Sequence, residues 1–125
     1  MSSDNKIDIT VQTQYLREHS DPSQQRFAFS YTITIKNAGP ITARLLTRHW
    51  IITDANGHVQ EVHGEGVVGE QPLIQPGRSY RYTSGAILST PVGTMHGAYT
   101  MVANNGHYFD ALIPAFRLAM PELVN

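Results

Sequence analysis

Phe27-Ala28-Phe29-Ser30-Tyr31-Thr32-Ile33-Thr34-Ile35-Lys36 decides the fold class, because aromatic and β-branched residues recur at every second position with small or polar residues between them. Side chains of an extended chain point alternately to opposite faces, so a period of two describes a strand with one face in a core and the other toward water. Ile7, Ile9 and Val11 alternate with Asp8, Thr10 and Gln12 in the same way. Polar residues 20–25, with Asp21-Pro22, separate the two runs, and Asn37-Ala38-Gly39-Pro40 ends the second with turn formers.

Working outward, residues 41–53 carry apolar side chains on both parities: Leu45 and Ile51 on one, Leu46, Trp50 and Ile52 on the other. Such a strand is central in its sheet or touches a partner. Asn56-Gly57 and Asn105-Gly106 each sit between strand-like runs and predict two-residue type I′ hairpin turns, which need positive φ at both positions. On that geometry Ala55 faces His58, Ile52 faces Glu61, Trp50 faces His63, and Arg48 falls beside Glu65. Pro76-Gly77 predicts a type II turn opening a strand over residues 79–88. Pro114 cannot donate to a central ladder, so Phe116 and Leu118 are expected to continue on an edge strand. No stretch of a dozen residues keeps helical spacing. About seven short strands and no helix therefore predict an all-β, antiparallel two-sheet sandwich.

With 125 residues the chain fits a single domain spanning 1–125, with flexible ends at about residues 1–5 and 120–125. The absence of cysteine excludes disulfides, thiolate zinc sites, iron–sulfur clusters and cysteine nucleophiles, and it suits a reducing cytoplasm. A net charge of −1 supplies no field to attract nucleic acid or an anionic membrane. No segment approaches the roughly 20 apolar residues that span a bilayer, so a cytoplasmic location without membrane insertion is expected.

His63-Gly64-Glu65-Gly66-Val67-Val68-Gly69-Glu70-Gln71-Pro72 contains the spacing GxGxxG. In dinucleotide-binding folds those glycines open a helix, but Pro72 and Pro76-Gly77 follow too closely for one, and no Lys-Ser or Lys-Thr completes a Walker loop. Two readings stay open. The glycines at 64, 66 and 69 bend the chain between sheets, or their backbone N–H groups form a nest for phosphate with Arg48 alongside. Arg48 itself is either a phosphate or carboxylate fork, helped by Arg78 or Arg81, or the partner of Glu65 in an exposed ion pair. Six histidines show no HxH or HExxH spacing, and the nearest thing to a metal set is His63 with Glu65, joined by Glu61 on the same strand face. Ser79, Ser84 and Ser89 lie in no nucleophile elbow, the aromatics read as core, and no catalytic group or cofactor is implied.

The most distinctive motifs are Arg48-x-Trp50-x-Ile52-Thr53-Asp54, Gly64-x-Gly66-Val67-Val68-Gly69-x-Gln71-Pro72, Tyr82-x-Ser84-Gly85 and Thr90-Pro91-x-Gly93-x-Met95-x-Gly97-x-Tyr99-x-Met101. Together with Ile9-x-Val11-x-Thr13 near the start and Phe116-Arg117-Leu118-Ala119-x-Pro121 near the end, they resemble the bacterial ApaG family over essentially the whole chain. The resemblance implies a fibronectin type III-like (immunoglobulin-like) sandwich. It also implies a genetic link to cobalt and magnesium efflux or resistance, and a gene neighbour that hydrolyses diadenosine tetraphosphate. Similar domains in eukaryotes are fused to F-box proteins and to a polymerase-delta-interacting protein, which is how binding modules are used. The expectation is a non-enzymatic module acting through an unidentified protein partner, the alternative being a phosphate-containing small ligand at the glycine loop. Edge strands offer a further route, to a sheet-mediated homodimer.

Overall fold

The alternation in residues 27–36 is realised in a computed structural model that describes residues 5–121. Phe27, Phe29, Tyr31, Ile33 and Ile35 are all buried, and they lie in a strand that forms the middle of a sheet. The strands are β1 (Ile7–Tyr15), β2 (Phe27–Asn37), β3 (Ala43–Asp54), β4 (Val59–Glu65), β5 (Leu73–Ile74), β6 (Ser79–Leu88), β7 (Val92–Ala103) and β8 (Tyr108–Ala119). Single 3-10 turns at Arg17–His19 and Pro22–Gln24 join β1 to β2.

One sheet has the order β1-β2-β6; the other has β4-β3-β7-β8, with short β5 pairing to the start of β3. All pairings are antiparallel, and the two sheets enclose one core, making a sandwich of eight strands. Trp50 sits at its centre, edge-on to Tyr31, Phe116 and Tyr99. Gly97 lies opposite Trp50 in the β3–β7 ladder, and a Cβ there would run into the backbone carbonyl of His49. Along one flank β1 closes onto β8. Along the other, β4 and β6 are edge strands that face each other without pairing.

Three local features differ from the sequence expectation. The Asn56-Gly57 turn is not type I′: Gly57 has φ +83° but Asn56 does not have positive φ. Asp54 and His58 close a three-residue loop instead, with Asp54 N–H donating to the His58 carbonyl at 3.0 Å and Gly57 N–H to the Asp54 carbonyl at 3.1 Å. The reason is Asp54, whose Oδ1 accepts from the N–H groups of Asn56 (2.9 Å) and His58 (3.0 Å) and so holds the wider turn. The register moves by one residue: His49 pairs with His63, Arg48 with Gly64, and Trp50 with Val62. The Asn105-Gly106 hairpin takes the same form, closed between Ala103 and His107, with the Asn105 side chain accepting from His107 N–H.

The two-parity apolar pattern of residues 41–53 has an internal cause. The β3–β7 register shifts between Leu45 and Thr47, so Leu46 is an extra residue and the inward parity passes from Ala43 and Leu45 to Trp50. The strand is central in its sheet, paired on one side with β4 and β5 and on the other with β7.

Pro114 lies on the edge strand β8, where Pro114 and Ala115 together oppose His96 in a second bulge. Gly77 has φ +79°, and Arg78 N–H closes the turn on the Gln75 carbonyl. Of the ends expected to be flexible, residues 1–4 and 122–125 lie outside the described residues. Met120 packs against the core and donates its N–H to the Pro91 carbonyl at 2.9 Å.

Candidate functional site

The bulge at Leu46 turns Arg48 inward, onto the same face as Trp50 and Ile52, at the level where β4 carries Gly64. Its guanidinium lies directly over that glycine: a Cβ on Gly64 would stand 2.6 Å from Arg48 Cζ. Nη1 donates to the carbonyls of Glu65 (3.0 Å) and Gly66 (2.8 Å). Arg48 therefore bonds the backbone oxygen of Glu65, and the carboxylate pair considered from sequence is not formed. Glycine at 64 is what allows a planar fork to reach two successive carbonyls.

The loop that follows is anchored from inside. Gly66 N–H donates to the Leu46 carbonyl, and Val67 and Glu70 exchange a pair of backbone bonds. Val67, 1% exposed, plugs into the core. Positive φ at Gly66 (+65°), Val68 (+49°) and Gly69 (+79°) lets the chain reverse within so few residues. The N–H groups of Gly66, Val67 and Glu70 are thus engaged. Val68 and Gly69 carry the loop N–H groups that make no bond within the described residues.

Beneath Arg48, three tyrosines and a serine converge from β2, β6 and β7. Tyr82 and Tyr99 join hydroxyl to hydroxyl in the interior, and Tyr31 bonds to Ser84. Burial pushes all three phenols above their ordinary range, against the pull of the nearby Arg48 charge. A pocket of about 320 Å³ opens here, bordered by Arg48, Val68, Gly69, Tyr31, Tyr82 and Ser84. The tyrosine hydroxyls escaped the sequence reading, which assigned these rings to the core. The available signal was chemical: a tyrosine at a buried parity brings a hydroxyl that must find a partner.

The pocket continues along the open flank through Tyr31, Arg48, Trp50 and Ser84 into a cleft of about 640 Å³. Phe29, Trp50, Ile52, Val62, Ala86 and Ile87 line that cleft between the facing edges of β6 and β4. Beyond it a third hollow of about 500 Å³ reaches Val59, Leu88 and Ser89. The flank is thus grooved along its length, with Ile87 (53% exposed) and Val59 (61%) on its rims.

On the opposite face of β3, the one-residue register change stacks His49 on His63, ring centres 4.0 Å apart and planes within 10°. Glu61 Oε1 lies 2.8 Å from His49 Nε2 and 3.7 Å from His63 Nε2. The bond from His49 and the charge of the two rings hold the Glu61 carboxyl below the ordinary carboxylate range. His49 was not anticipated here, and Glu65 does not join the group. At the hairpin end, burial would raise the Asp54 carboxyl. The N–H groups of His58 and Asn56, with the His58 ring, outweigh that and keep it low.

Fold and site together define a small all-β sandwich domain with one grooved flank and a glycine loop clamped by an inward arginine. The ApaG domain model matches residues 17–103, and the chain belongs to the ApaG family. It is 57% identical over 120 residues to the protein ApaG of Azoarcus sp., covering 96% of this chain and 94% of that one. It is 63% identical over 114 residues to the protein ApaG of Acidithiobacillus ferrooxidans, covering 91% and 90%. Among solved structures, a protein described as the putative ApaA protein of Bordetella pertussis superposes with a TM-score of 0.91 at 50% identity, covering 94% of this chain and 95% of that one. No helix among the described residues is long and apolar enough to cross a membrane.

Proposed function

We propose that this protein is a non-enzymatic cytoplasmic binding module that takes up an extended segment of a partner protein in the groove between β4 and β6, and contributes to cobalt and magnesium homeostasis through that partner. The observation that carries this reading is the pair of edge strands facing each other across an apolar floor. Each edge leaves backbone donors and acceptors unpaired at alternate residues, and a strand laid along it extends the sheet while its alternate side chains meet Ile52, Val62 and Ile87. From Tyr82 to Leu88 the β6 rim offers seven residues, about 23 Å of pairing length. Extended segments bound this way need no preformed helix, since main-chain hydrogen bonds to the edge supply the affinity.

The test is site-specific photo-crosslinking in cells from Gln60 and Ile87 on the groove rims, with exposed Leu112 of β8 as the control position. A discrete adduct with another protein from the rim positions alone supports the reading. Adducts from Leu112 to the same degree, or none from the rims, overturn it. An adduct between two copies of the chain reassigns the groove to a homodimer.

A second reading is favoured by one observation, the junction of Arg48 with the unbonded N–H groups of Val68 and Gly69 in a single pocket. Those donors, with the Tyr31 and Ser84 hydroxyls, suit a phosphate group. Calorimetric titration with pyrophosphate and a dinucleoside polyphosphate tests it. Saturable binding lost in Arg48→Met and weakened in Ser84→Ala supports phosphate recognition, and an absence of heat removes it.

A further inference from the structure

The outer face of the β3–β4 hairpin carries a group that neither the groove nor the glycine loop uses. We propose that His49, Glu61 and His63 form a site for a first-row divalent transition-metal ion. Each offers one ligand atom, and all three atoms lie within 4.8 Å of one another. His49 and His63 are directly cross-strand partners, while Glu61 pairs with Ile51, one step along the same face. The three Cβ atoms are therefore placed by a hydrogen-bonded ladder, and only side-chain torsions remain to be set.

Two imidazole nitrogens and one carboxylate oxygen make the donor set of a facial triad, which leaves the remaining coordination positions to water. Nitrogen donors of this kind suit cobalt, nickel, copper and zinc, whereas magnesium prefers an all-oxygen shell and keeps most of its water. The observed spacings, 2.8 Å and 3.7 Å from Glu61 Oε1 to the two Nε2 atoms, bracket the separation between neighbouring ligands at metal–ligand distances of about 2.1 Å. The rings are nearly parallel, so metal binding must tilt them toward each other. Glu61 already draws both Nε2 atoms to one side, and an ion entering there replaces the His49–Glu61 hydrogen bond. The half-buried to exposed setting gives ions free access and makes the site one of modest affinity. Because it lies on the face of β3 turned away from the groove, its fate and that of the partner reading are decided by separate experiments.

The experiment is titration of the chelator-stripped full chain with Co²⁺, Zn²⁺ and Mg²⁺, followed by calorimetry and, for Co²⁺, by its visible absorption. One Co²⁺ or Zn²⁺ per chain is expected, with the Co²⁺ bands of mixed nitrogen and oxygen ligation and shifts in the ring resonances of His49 and His63. His49→Gln, His63→Gln and Glu61→Gln should each weaken binding roughly tenfold or more. His107→Gln, in the distant β7–β8 hairpin, should leave it unchanged. These substitutions are at the surface, and circular dichroism checks that each variant is folded. Titrations that do not saturate, that persist in all three ligand variants, or that Mg²⁺ matches overturn the proposal.

Discussion

The two flanks of the sandwich solve the same geometric problem in opposite ways. Where β1 meets β8, Ile9 and Val11 pack against the core beside Phe116, Leu118 and Met120, and Met120 is tied to Pro91. Where β4 faces β6, the sheets stay apart and leave Trp50 and Ile52 at the floor of a groove with Ile87 on its rim. Burying apolar area is worth about 25 cal/mol per Å², so an open flank forgoes stability that the closed one collects. The difference teaches that the two edges of one core need not be closed alike: one is sealed by β1 on β8, and the other stays grooved beside Arg48 and the glycine loop.

Substitutions on the two flanks should break or confirm that contrast. Leu118→Ala, at a fully buried position of the closed flank, is expected to cost about 2–5 kcal/mol. Ile87→Asp, on the rim of the open flank, should stay within about 0.5 kcal/mol. Urea unfolding midpoints measure both. If Ile87→Asp proves as costly as Leu118→Ala, the groove is packed shut in solution and the two flanks are alike.

The glycine loop sharpens the comparison within the open flank. Gly66 combines positive φ with a neighbour, the Glu70 carbonyl, that a Cβ would strike, whereas Gly69 has positive φ and open space around it. Gly66→Ala should therefore cost about 2–3 kcal/mol and Gly69→Ala about 1 kcal/mol. Equal losses would mean that the loop end is not anchored as described. Arg48→Met removes two hydrogen bonds from a charged donor to carbonyls and is expected to cost about 1–2 kcal/mol. Arg48→Lys should recover little of this, since an ammonium lacks the fork that lies flat on Gly64. Full recovery by lysine would reduce the clamp to a simple charge effect.

Much of the core was legible in the sequence, because period two and burial dictate each other there. Phe27, Phe29, Tyr31, Ile33 and Ile35 all face inward as the period of two requires, and Pro114 sits on an edge because it has no N–H to give a ladder. The placement of Arg48 beside the glycine loop was legible too, since hairpin neighbours stay neighbours under a slip of one residue. What was lost is everything that depends on the slip itself. Asn56-Gly57 alone suggests a two-residue turn, but the carboxylate of Asp54 selects a three-residue one, and only then does His49 meet His63. The bulge at Leu46 is the second such decision: it reassigns which residues of β3 face inward, and nothing in a one-strand periodicity announces it. A local side-chain to backbone bond decides the turn, and the bulge is tied by contacts from Gly66 and Gln71, far along the chain, to the Leu46 carbonyl.

Asp54 gives the most direct test of that argument. Its carboxyl is held below the ordinary range in the folded state, so it adds stability that is present above the unfolded value of roughly 3.9 and lost as pH falls through the lower folded value. Asp54→Asn keeps an oxygen that can accept from Asn56 and His58 but removes the charge. The variant should be less stable than the parent at pH 7, the gap should close as the pH drops below about 4, and the two should unfold alike once both carboxyl states are protonated. Denaturant midpoints measured across that window decide it. A gap that persists at pH 2 would assign the role of Asp54 to the shape of its hydrogen bonds alone, and a hairpin whose register follows the two-residue turn in the variant would show that the carboxylate, by choosing the turn, places both the clamp over Gly64 and the histidine pair behind it.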